Sequence, residues 1–213
     1  MQSVALIDYG SGNLRSAEKA LREAARRRGL EADIVVTADP RIVAAADRVV
    51  LPGVGAFASC RAGLDASGVY EAMNIAVHER GAPFLGVCVG HQLLASRGLE
   101  FRVTPGLDWI SGEVRKLEPA SPSFSIPHMG WNSVEVTRDH PLFAGIEAGA
   151  HMYFANSFAL TPTDPADVLA TTDHGGRFTA AVAKGNVAGV QFHPEKSQAA
   201  GLVLLANFLE WRP

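Results

Sequence analysis

The chain has few of the residues that build disulfide-rich or metal-dependent domains. Its 213 residues include only two cysteines, Cys60 and Cys88, and its seven histidines show no spacing typical of metal ligands. Two separated cysteines cannot form a disulfide scaffold or a structural zinc site. We therefore expect no metal and no cofactor, and we expect Cys60, on a helical stretch, to be structural.

Long apolar runs and an excess of one charge are also missing. The longest apolar runs, such as residues 83–89, fall far short of the roughly 20 residues that cross a bilayer. The N-terminus begins with strand-like MQSVALIDYG instead of a signal peptide. A net charge of −3 and a pI of about 6.2 indicate neither nucleic acid nor an anionic membrane as partner. We expect a cytoplasmic protein that acts on a small molecule.

The hydrophobic content, 47%, is enough to bury one core, and we expect a single domain over residues 1–213. Predicted strands at 4–7, 32–36, 48–51 and 84–87 alternate with predicted helices at 14–28, after Pro40, within 56–79 and at 90–96. This alternation predicts an α/β fold with a mostly parallel central sheet and helices on both faces. Short strands at 111–117, 131–136, 152–160 and 179–192 predict a strand-rich second half with antiparallel or mixed pairing, and a last helix is predicted at 198–211.

The sequence Gly-Val-Cys-Val-Gly, residues 86–90, places Cys88 where a buried strand turns sharply into a helix. Glycines two residues to either side remove the Cβ atoms that would collide in such a turn. A cysteine at a helix N-terminus and beside a histidine is more readily ionised. A buried, inert cysteine is the usual alternative, but the paired glycines favour a nucleophile.

The sequence His-Pro-Glu, residues 193–195, offers a partner for that nucleophile. Proline biases His193 to an extended conformation, in which the side chains of His193 and Glu195 emerge on the same side. Glu195 can then orient the imidazole while His193 handles the protons. An isolated His-Pro-Glu would more often be structural, and it is Cys88 in the same α/β pattern that favours catalysis.

Two glycine-rich segments follow predicted strands. Gly53, Val54 and Gly55 end the third strand, at the same carboxyl edge as Cys88, and could supply backbone donors to an oxyanion. Gly10-Ser11-Gly12 suggests a dinucleotide loop, but Arg15 stands where that motif needs Gly or Ala, and we reject this interpretation.

These motifs resemble those of the class I (triad) glutamine amidotransferases, marked by Gly-x-Cys-x-Gly-x-Gln and His-Pro-Glu. Within that class the chain is similar to the glutaminase subunits of imidazole glycerol phosphate synthase, an enzyme of histidine biosynthesis. Four segments carry the likeness: IDYGSGNLRS at 7–16, PGVGAF at 52–57, PHMGWN at 127–132 and QFHPEKS at 191–197. Three positions depart from the subfamily pattern, with His91 for Met, Asn156 for His and Phe158 for Tyr.

The resemblance implies a role for each matching residue. Cys88 would form a glutamyl thioester, and the amides of Val54 and Val89 would serve the oxyanion, Val54 after a local backbone flip. The predicted glutamine-binding residues are Gln92, Glu100, Asn156, Ser157 and Phe158. The residues predicted to face a partner are Gly10 and Asn13 in the first loop, Trp131 and Lys196.

The same resemblance implies glutamine as substrate and a heterodimer with a (β/α)₈ cyclase subunit that receives the ammonia. Three alternatives remain open at this point. The chain could be the glutaminase subunit of pyridoxal phosphate synthase, although PGVGAF and PHMGWN argue against it. It could be a redox-sensing α/β protein with an elbow cysteine, although Gln92 and His-Pro-Glu argue for hydrolysis. It could also be a non-catalytic interaction subunit.

Overall fold

A computed structural model describes all residues from Met1 to Pro213. The first half of the chain alternates strands and helices as its apolar pattern predicts. The elements are β1 (Gln2–Ile7), α1 (Leu14–Arg28), β2 (Ala32–Thr37), α2 (Pro40–Ala45), β3 (Arg48–Gly53), α3 (Phe57–Ser67), α4 (Tyr70–Asn74), β4 (Phe84–Cys88) and α5 (Val89–Gln92). The helix predicted over 90–96 is shorter than expected, since α5 covers only the first turn.

The second half is rich in short strands, as the Gly, Pro and Asn punctuation predicts. It comprises β5 (Arg97–Gly98), β6 (Thr104–Pro105), β7 (Gly112–Lys116), β8 (His128–Ser133), β9 (Glu135–Val136), β10 (His151–Asn156), β11 (Phe158–Pro162), β12 (Val168–Asp173), β13 (Arg177–Lys184), β14 (Val187–Val190) and the last helix α6 (Gln198–Glu210). Short 3₁₀ turns lie at Pro141–Phe143, Pro165–Asp167 and Pro194–Lys196, and a π-helical turn at Ile75–Glu79 extends α4.

One eight-stranded sheet organises the molecule, in the order β2-β1-β3-β4-β14-β13-β12-β9. The first five strands in this order are parallel. The other three, β13, β12 and β9, pair antiparallel. A four-stranded sheet (β11-β7-β5-β6) and a two-stranded sheet (β10-β8) complete the fold. The predicted α/β class, with its mixed second half, is thereby confirmed.

Three predicted strands are in fact strand pairs. The run 131–136 breaks at Val134 between β8 and β9, which belong to different sheets. The run 179–192 contains the β13–β14 hairpin, which turns at Gly185 with φ +56°, and β14 joins the parallel part of the sheet beside β4. The run 152–160 breaks at Ser157, so that β10 and β11 belong to different sheets. Polar residues mark two of these breaks, Lys184-Gly185-Asn186 in the run 179–192 and Asn156-Ser157 in the run 152–160, but strand-forming residues flank each break, so that each run resembles a single strand.

Helix α1 shows how sequence sets a boundary. Its buried face consists of Ala20, Leu21, Ala24 and Ala25, and it packs against α6. Gly29 adopts the left-handed conformation and donates its N–H to the last turn, which ends the helix. No helix in the molecule is long and apolar enough to cross a membrane.

The central strands bring the functional segments to one edge. Strands β3 and β4 are parallel neighbours, and Gly53 is the register partner of Cys88. Val190, at the end of β14, is the partner of Val87, so the segment leading to His193 leaves the sheet at the same edge. Three separated stretches of sequence therefore meet at the carboxyl ends of adjacent strands, where α/β proteins bind ligands.

Candidate active site

Cys88 lies on a strained turn between β4 and α5. Its φ is +55° and its ψ −109°, a conformation that side-chain-bearing residues rarely adopt. Steric crowding requires glycine at both flanking positions. A Cβ on Gly86 would lie 2.5 Å from the Gly90 carbonyl oxygen, and a Cβ on Gly90 would lie 1.8 Å from the Leu51 carbonyl oxygen. Strain of this kind persists where the surrounding structure fixes it, often at functional sites.

His193 and Glu195 form a buried pair beside this turn. His193 Nδ1 and Glu195 Oε1 are 2.8 Å apart, and both side chains are about 95% buried. The predicted contact is present, and His193 itself is extended as predicted, with φ −100° and ψ 98°. The extended alternation proposed through Glu195 is wrong, because the chain enters a 3₁₀ turn at Pro194. The backbone of His193 is held by a hydrogen bond from its N–H to the Tyr153 carbonyl, 2.8 Å, and by one from Ser197 Oγ to its carbonyl, 2.6 Å.

The environment of His193 stabilises its protonated form. Burial lowers its pKa, but interactions with Cys88 and Glu195 outweigh burial and raise the pKa from 6.5 to about 9. Since Nδ1 faces Glu195, the other ring nitrogen is available to the Cys88 thiol. This arrangement suits a histidine that takes a proton from a thiol and holds it for a leaving group.

We expect Glu195→Gln to lower the pKa of His193, because one of the two groups that oppose burial loses its charge. NMR titration of the ring protons measures this directly. His140 serves as an internal control: burial lowers its pKa to about 4, and this value should not change. An unchanged His193 pKa in the variant would contradict the assigned pairing.

The raised pKa also predicts how stability depends on pH. Because the folded-state value of about 9 lies above the unfolded value of 6.5, His193 contributes stability that is complete below pH 6.5. That contribution is lost as the pH rises through about 9.

Two of the proposed oxyanion residues, Gly53 and Val89, adjoin Cys88. Gly53 packs so closely that an added Cβ would lie 2.7 Å from Tyr9 Oη and 2.8 Å from the Gly90 nitrogen. Val89 begins α5 directly after Cys88, so its N–H belongs to the helical turn that lacks intrahelical acceptors. Gly55 has φ +106°, which keeps the end of this segment in a conformation that favours glycine.

The Val54 amide is engaged elsewhere in this structure. Its N–H donates to Ser11 Oγ at 3.2 Å, while the Ser11 hydroxyl donates to the Val54 carbonyl at 2.6 Å. Cys60 Sγ also lies 3.5 Å from that carbonyl. The hydroxyl of Ser11 therefore holds both polar groups of the Val54 residue, a contact that the sequence reasoning did not anticipate.

Hydrogen bonds link Gln92, Asn156 and Phe158, three of the predicted glutamine-binding residues. The Phe158 carbonyl accepts hydrogen bonds from Gln92 Nε2 at 2.9 Å and Asn156 Nδ2 at 3.0 Å, and Ser157 lies between the two strand residues. Asn156 Oδ1 is buried without a partner. Glu100 accepts a hydrogen bond from the Phe57 N–H at 2.7 Å, at the start of α3.

The residues predicted to face a partner are exposed. Gly10 and Asn13 lie in the first loop, and Asn13 lines a small crevice with Pro52, Val54 and His193. Trp131, 45% exposed, packs edge-on against Tyr153, and the Lys196 ammonium lies 5.5 Å from the centre of the same Tyr153 ring. The Trp131 ring, the Tyr153 ring and the Lys196 ammonium are therefore in contact at the surface, and Lys196 directly follows Glu195 in the chain.

Gln191 is a site residue that the sequence reasoning missed. It is fully buried, and its Nε2 lies 3.8 Å from Cys88 Sγ. The available signal was its place two residues before His193, in the segment QFHPEKS that carries the family likeness. No group of three or more His, Cys, Asp or Glu side chains lies close enough to hold a metal ion.

A cysteine on a strained strand-to-helix turn, beside a buried His–Glu pair, on a parallel sheet, defines a class of protein. The sequence model of the class-I glutamine amidotransferases matches residues 5–211, and the chain belongs to that family. Among solved structures, one glutamine amidotransferase superposes with a TM-score of 0.69 at 20% identity, covering 97% of both chains. A glutamine amidotransferase from Thermotoga maritima also gives 0.69, at 16% identity, covering 98% of this chain and 96% of that one. At these identities the structures show the fold alone.

The particular branch of the family follows from sequence relatives. The chain is 79% identical to imidazole glycerol phosphate synthase subunit HisH of Caulobacter vibrioides, covering 100% of both chains. It is 58% identical to the HisH subunit of Rhodospirillum rubrum, covering 99% of both. The family resemblance drawn from the motifs is confirmed.

Proposed function

We propose that this chain is the glutaminase subunit of an imidazole glycerol phosphate synthase, acting in histidine biosynthesis. The buried His193–Glu195 pair next to Cys88 carries the proposal for the chemistry. The full-length identity of 79% to a HisH subunit supports the pathway and disfavours the pyridoxal phosphate synthase and redox-sensor alternatives. The match over residues 5–211 supports one glutaminase domain over the whole chain, and a cytoplasmic location fits this role.

The proposed reaction begins with the Cys88 thiolate attacking the side-chain amide carbon of glutamine. The carbonyl oxygen becomes an oxyanion, for which the Val89 and Val54 amides are the proposed donors. His193 gives its proton to the amide nitrogen, and the carbon–nitrogen bond breaks. Ammonia departs, and a glutamyl thioester remains on Cys88. His193 then takes a proton from water, the hydroxide attacks the thioester, and glutamate and the thiolate are released.

Glu195 fixes the ring orientation of His193 and stabilises its protonated form. Gln92, Asn156, Ser157 and Phe158 are the proposed glutamine-binding residues together with Glu100. We propose that the ammonia passes to a separate (β/α)₈ cyclase subunit, bound through the surface that includes Gly10, Asn13, Trp131 and Lys196. No nucleic acid or membrane is required.

The direct test is an assay of glutamate release by the purified chain, first by itself and then with both the ribonucleotide ligand and the cyclase subunit. We expect slow release from the isolated chain and a large increase in the liganded complex. Absence of glutamate in the complex would contradict the proposal.

The contacts of Ser11 suggest why glutamate release by the isolated chain should be slow. As long as its hydroxyl holds the N–H and carbonyl of Val54, that N–H is not available to an oxyanion at Cys88. We propose that partner and ligand favour a backbone flip at Val54, which supplies the two-state element that coupling between sites requires.

Ser11→Ala should therefore raise the basal glutaminase rate of the isolated chain. Net hydrogen-bond energies of about 0.5 to 1.5 kcal/mol predict an increase of up to about tenfold. Ser11→Thr, which retains the hydroxyl, is the matched control and should remain slow. A basal rate that falls or stays constant in Ser11→Ala would show that the contact does not restrain the segment.

A further inference from the structure

The side chain of Gln191 sits between the nucleophile and a residue proposed to bind glutamine. Its Nε2 lies 3.8 Å from Cys88 Sγ, and its Oε1 accepts a hydrogen bond from Gln92 Nε2 at 3.0 Å. The residue is fully buried, and its backbone N–H is fixed to the Ala180 carbonyl at 2.8 Å. It is thus held on the rigid end of the central sheet, with one end of its amide facing the reacting sulfur.

The orientation of the Gln191 amide follows from a backbone carbonyl that can only accept hydrogen bonds. The Phe158 carbonyl can only accept, so the NH₂ group of Gln92, 2.9 Å away, must face it. That same NH₂ group also contacts Gln191, which must therefore present its oxygen to Gln92. The NH₂ group of Gln191 is left facing Cys88, and the direction of the N–H···S contact is set by the network.

We infer that Gln191 is a further catalytic residue, whose amide N–H donates to the Cys88 sulfur and stabilises the thiolate. The inference rests on the proposed glutaminase function. A buried donor needs an acceptor, and the sulfur is the one that the structure provides for the Gln191 NH₂ group. A thiolate is a stronger acceptor than a thiol, so the contact strengthens when the proton moves from Cys88 to His193.

The donor acts twice in each turnover. It favours the thiolate before attack, and it favours the same thiolate as the leaving group when the thioester is hydrolysed. Gln191 keeps its own protons throughout, because a side-chain amide donates hydrogen bonds but does not ionise at the pH values at which the enzyme works. Proton transfer remains with His193. Gln92 acquires a second task, since its amide orients Gln191.

The test compares Gln191→Met with wild type in the liganded complex with the cyclase subunit. Methionine has a similar length and no donor. The measurements are the pH profile of kcat/KM for glutamate release and the pH dependence of Cys88 alkylation by iodoacetamide, followed by peptide mass spectrometry. We expect the acid limb of both profiles to move up by about one pH unit, with kcat/KM near neutral pH falling about tenfold.

Two further variants keep the test decisive. Gln191→Asn retains an amide but withdraws it from the sulfur, and we expect it to shift both profiles in the same direction as Gln191→Met. It serves as the test if the methionine variant fails to fold. Gln2→Met is the matched control: Gln2 also bridges two partners, Arg48 and the Leu209 carbonyl, but at the amino end of β1, and its profiles should not move.

The outcomes separate this inference from the proposed function. Unshifted profiles in folded, active Gln191→Met or Gln191→Asn would overturn the role of Gln191 and leave the glutaminase intact. A wild-type complex that releases no glutamate would instead overturn the proposed function. A rise in KM with an unshifted acid limb would show that Gln191 binds substrate, which also overturns the inference.

Discussion

Cys88→Ala is expected to abolish glutamine-dependent synthesis by the complex with the cyclase subunit, by at least about four orders of magnitude. Loss of a catalytic nucleophile has effects of this size or larger. The change removes a single sulfur atom, so the fold and the docking surface should be retained. Synthesis supplied with ammonium salt at alkaline pH should persist near the wild-type rate, because ring closure is assigned to the proposed cyclase partner.

The second cysteine provides a matched control. Cys60 is buried in the core, and Cys60→Ala should retain glutamine-dependent synthesis in the complex. Loss of both glutamine- and ammonia-dependent synthesis in a folded, associated Cys88→Ala complex would give Cys88 a role beyond hydrolysis. Retained glutamine-dependent synthesis would remove it as the nucleophile.

Gly90→Ala should be the most destabilising of the small substitutions at the site. The new Cβ would lie 1.8 Å from the carbonyl oxygen of Leu51, which belongs to the central strand β3 and cannot move without breaking the sheet. We expect a loss of at least about 3 kcal/mol in the free energy of unfolding, measured by chemical denaturation. Any folded fraction should lack glutaminase activity, since Cys88 could not keep its turn.

Gly176→Ala is the control for this substitution. An added Cβ there has only one neighbour, the Glu118 carbonyl oxygen at 3.9 Å, and the free energy of unfolding should change by less than about 1 kcal/mol. A Gly90→Ala protein as stable and active as this control would show that the close approach of α5 to β3 does not position the nucleophile.

The features that could be predicted from sequence were those with a local physical cause. Helix α1 has the predicted bounds, Leu14–Arg28, because its apolar face and the glycine after it are both visible in the sequence. The turn at Cys88 was predictable because the need for glycine on both sides is local. The four predicted parallel strands are present because short apolar runs separated by helices have few other arrangements.

The features that could not be predicted depend on contacts between distant segments. Gln191 and Cys88 are 103 positions apart, and Ser11 and Val54 are 43 apart. Their meeting follows from strand order, in which β14 inserts beside β4. Lys184-Gly185-Asn186 marks the hairpin before β14 locally, but the place of β14 in the sheet depends on contacts with distant strands. The 3₁₀ turn at Pro194 was missed for a different reason, since alternation along an extended segment explained the same contact.

The central claim is that Cys88 forms a covalent glutamyl intermediate with the help of His193. Acid quenching of the complex with cyclase, ligand and saturating glutamine, followed by peptide mass spectrometry, tests it most directly. We predict a glutamyl group, glutamine minus ammonia, on the peptide that contains Cys88, and none on the peptide that contains Cys60. Steady glutamate release with Cys88 unmodified at every quench time, under conditions that preserve thioesters, would contradict the account.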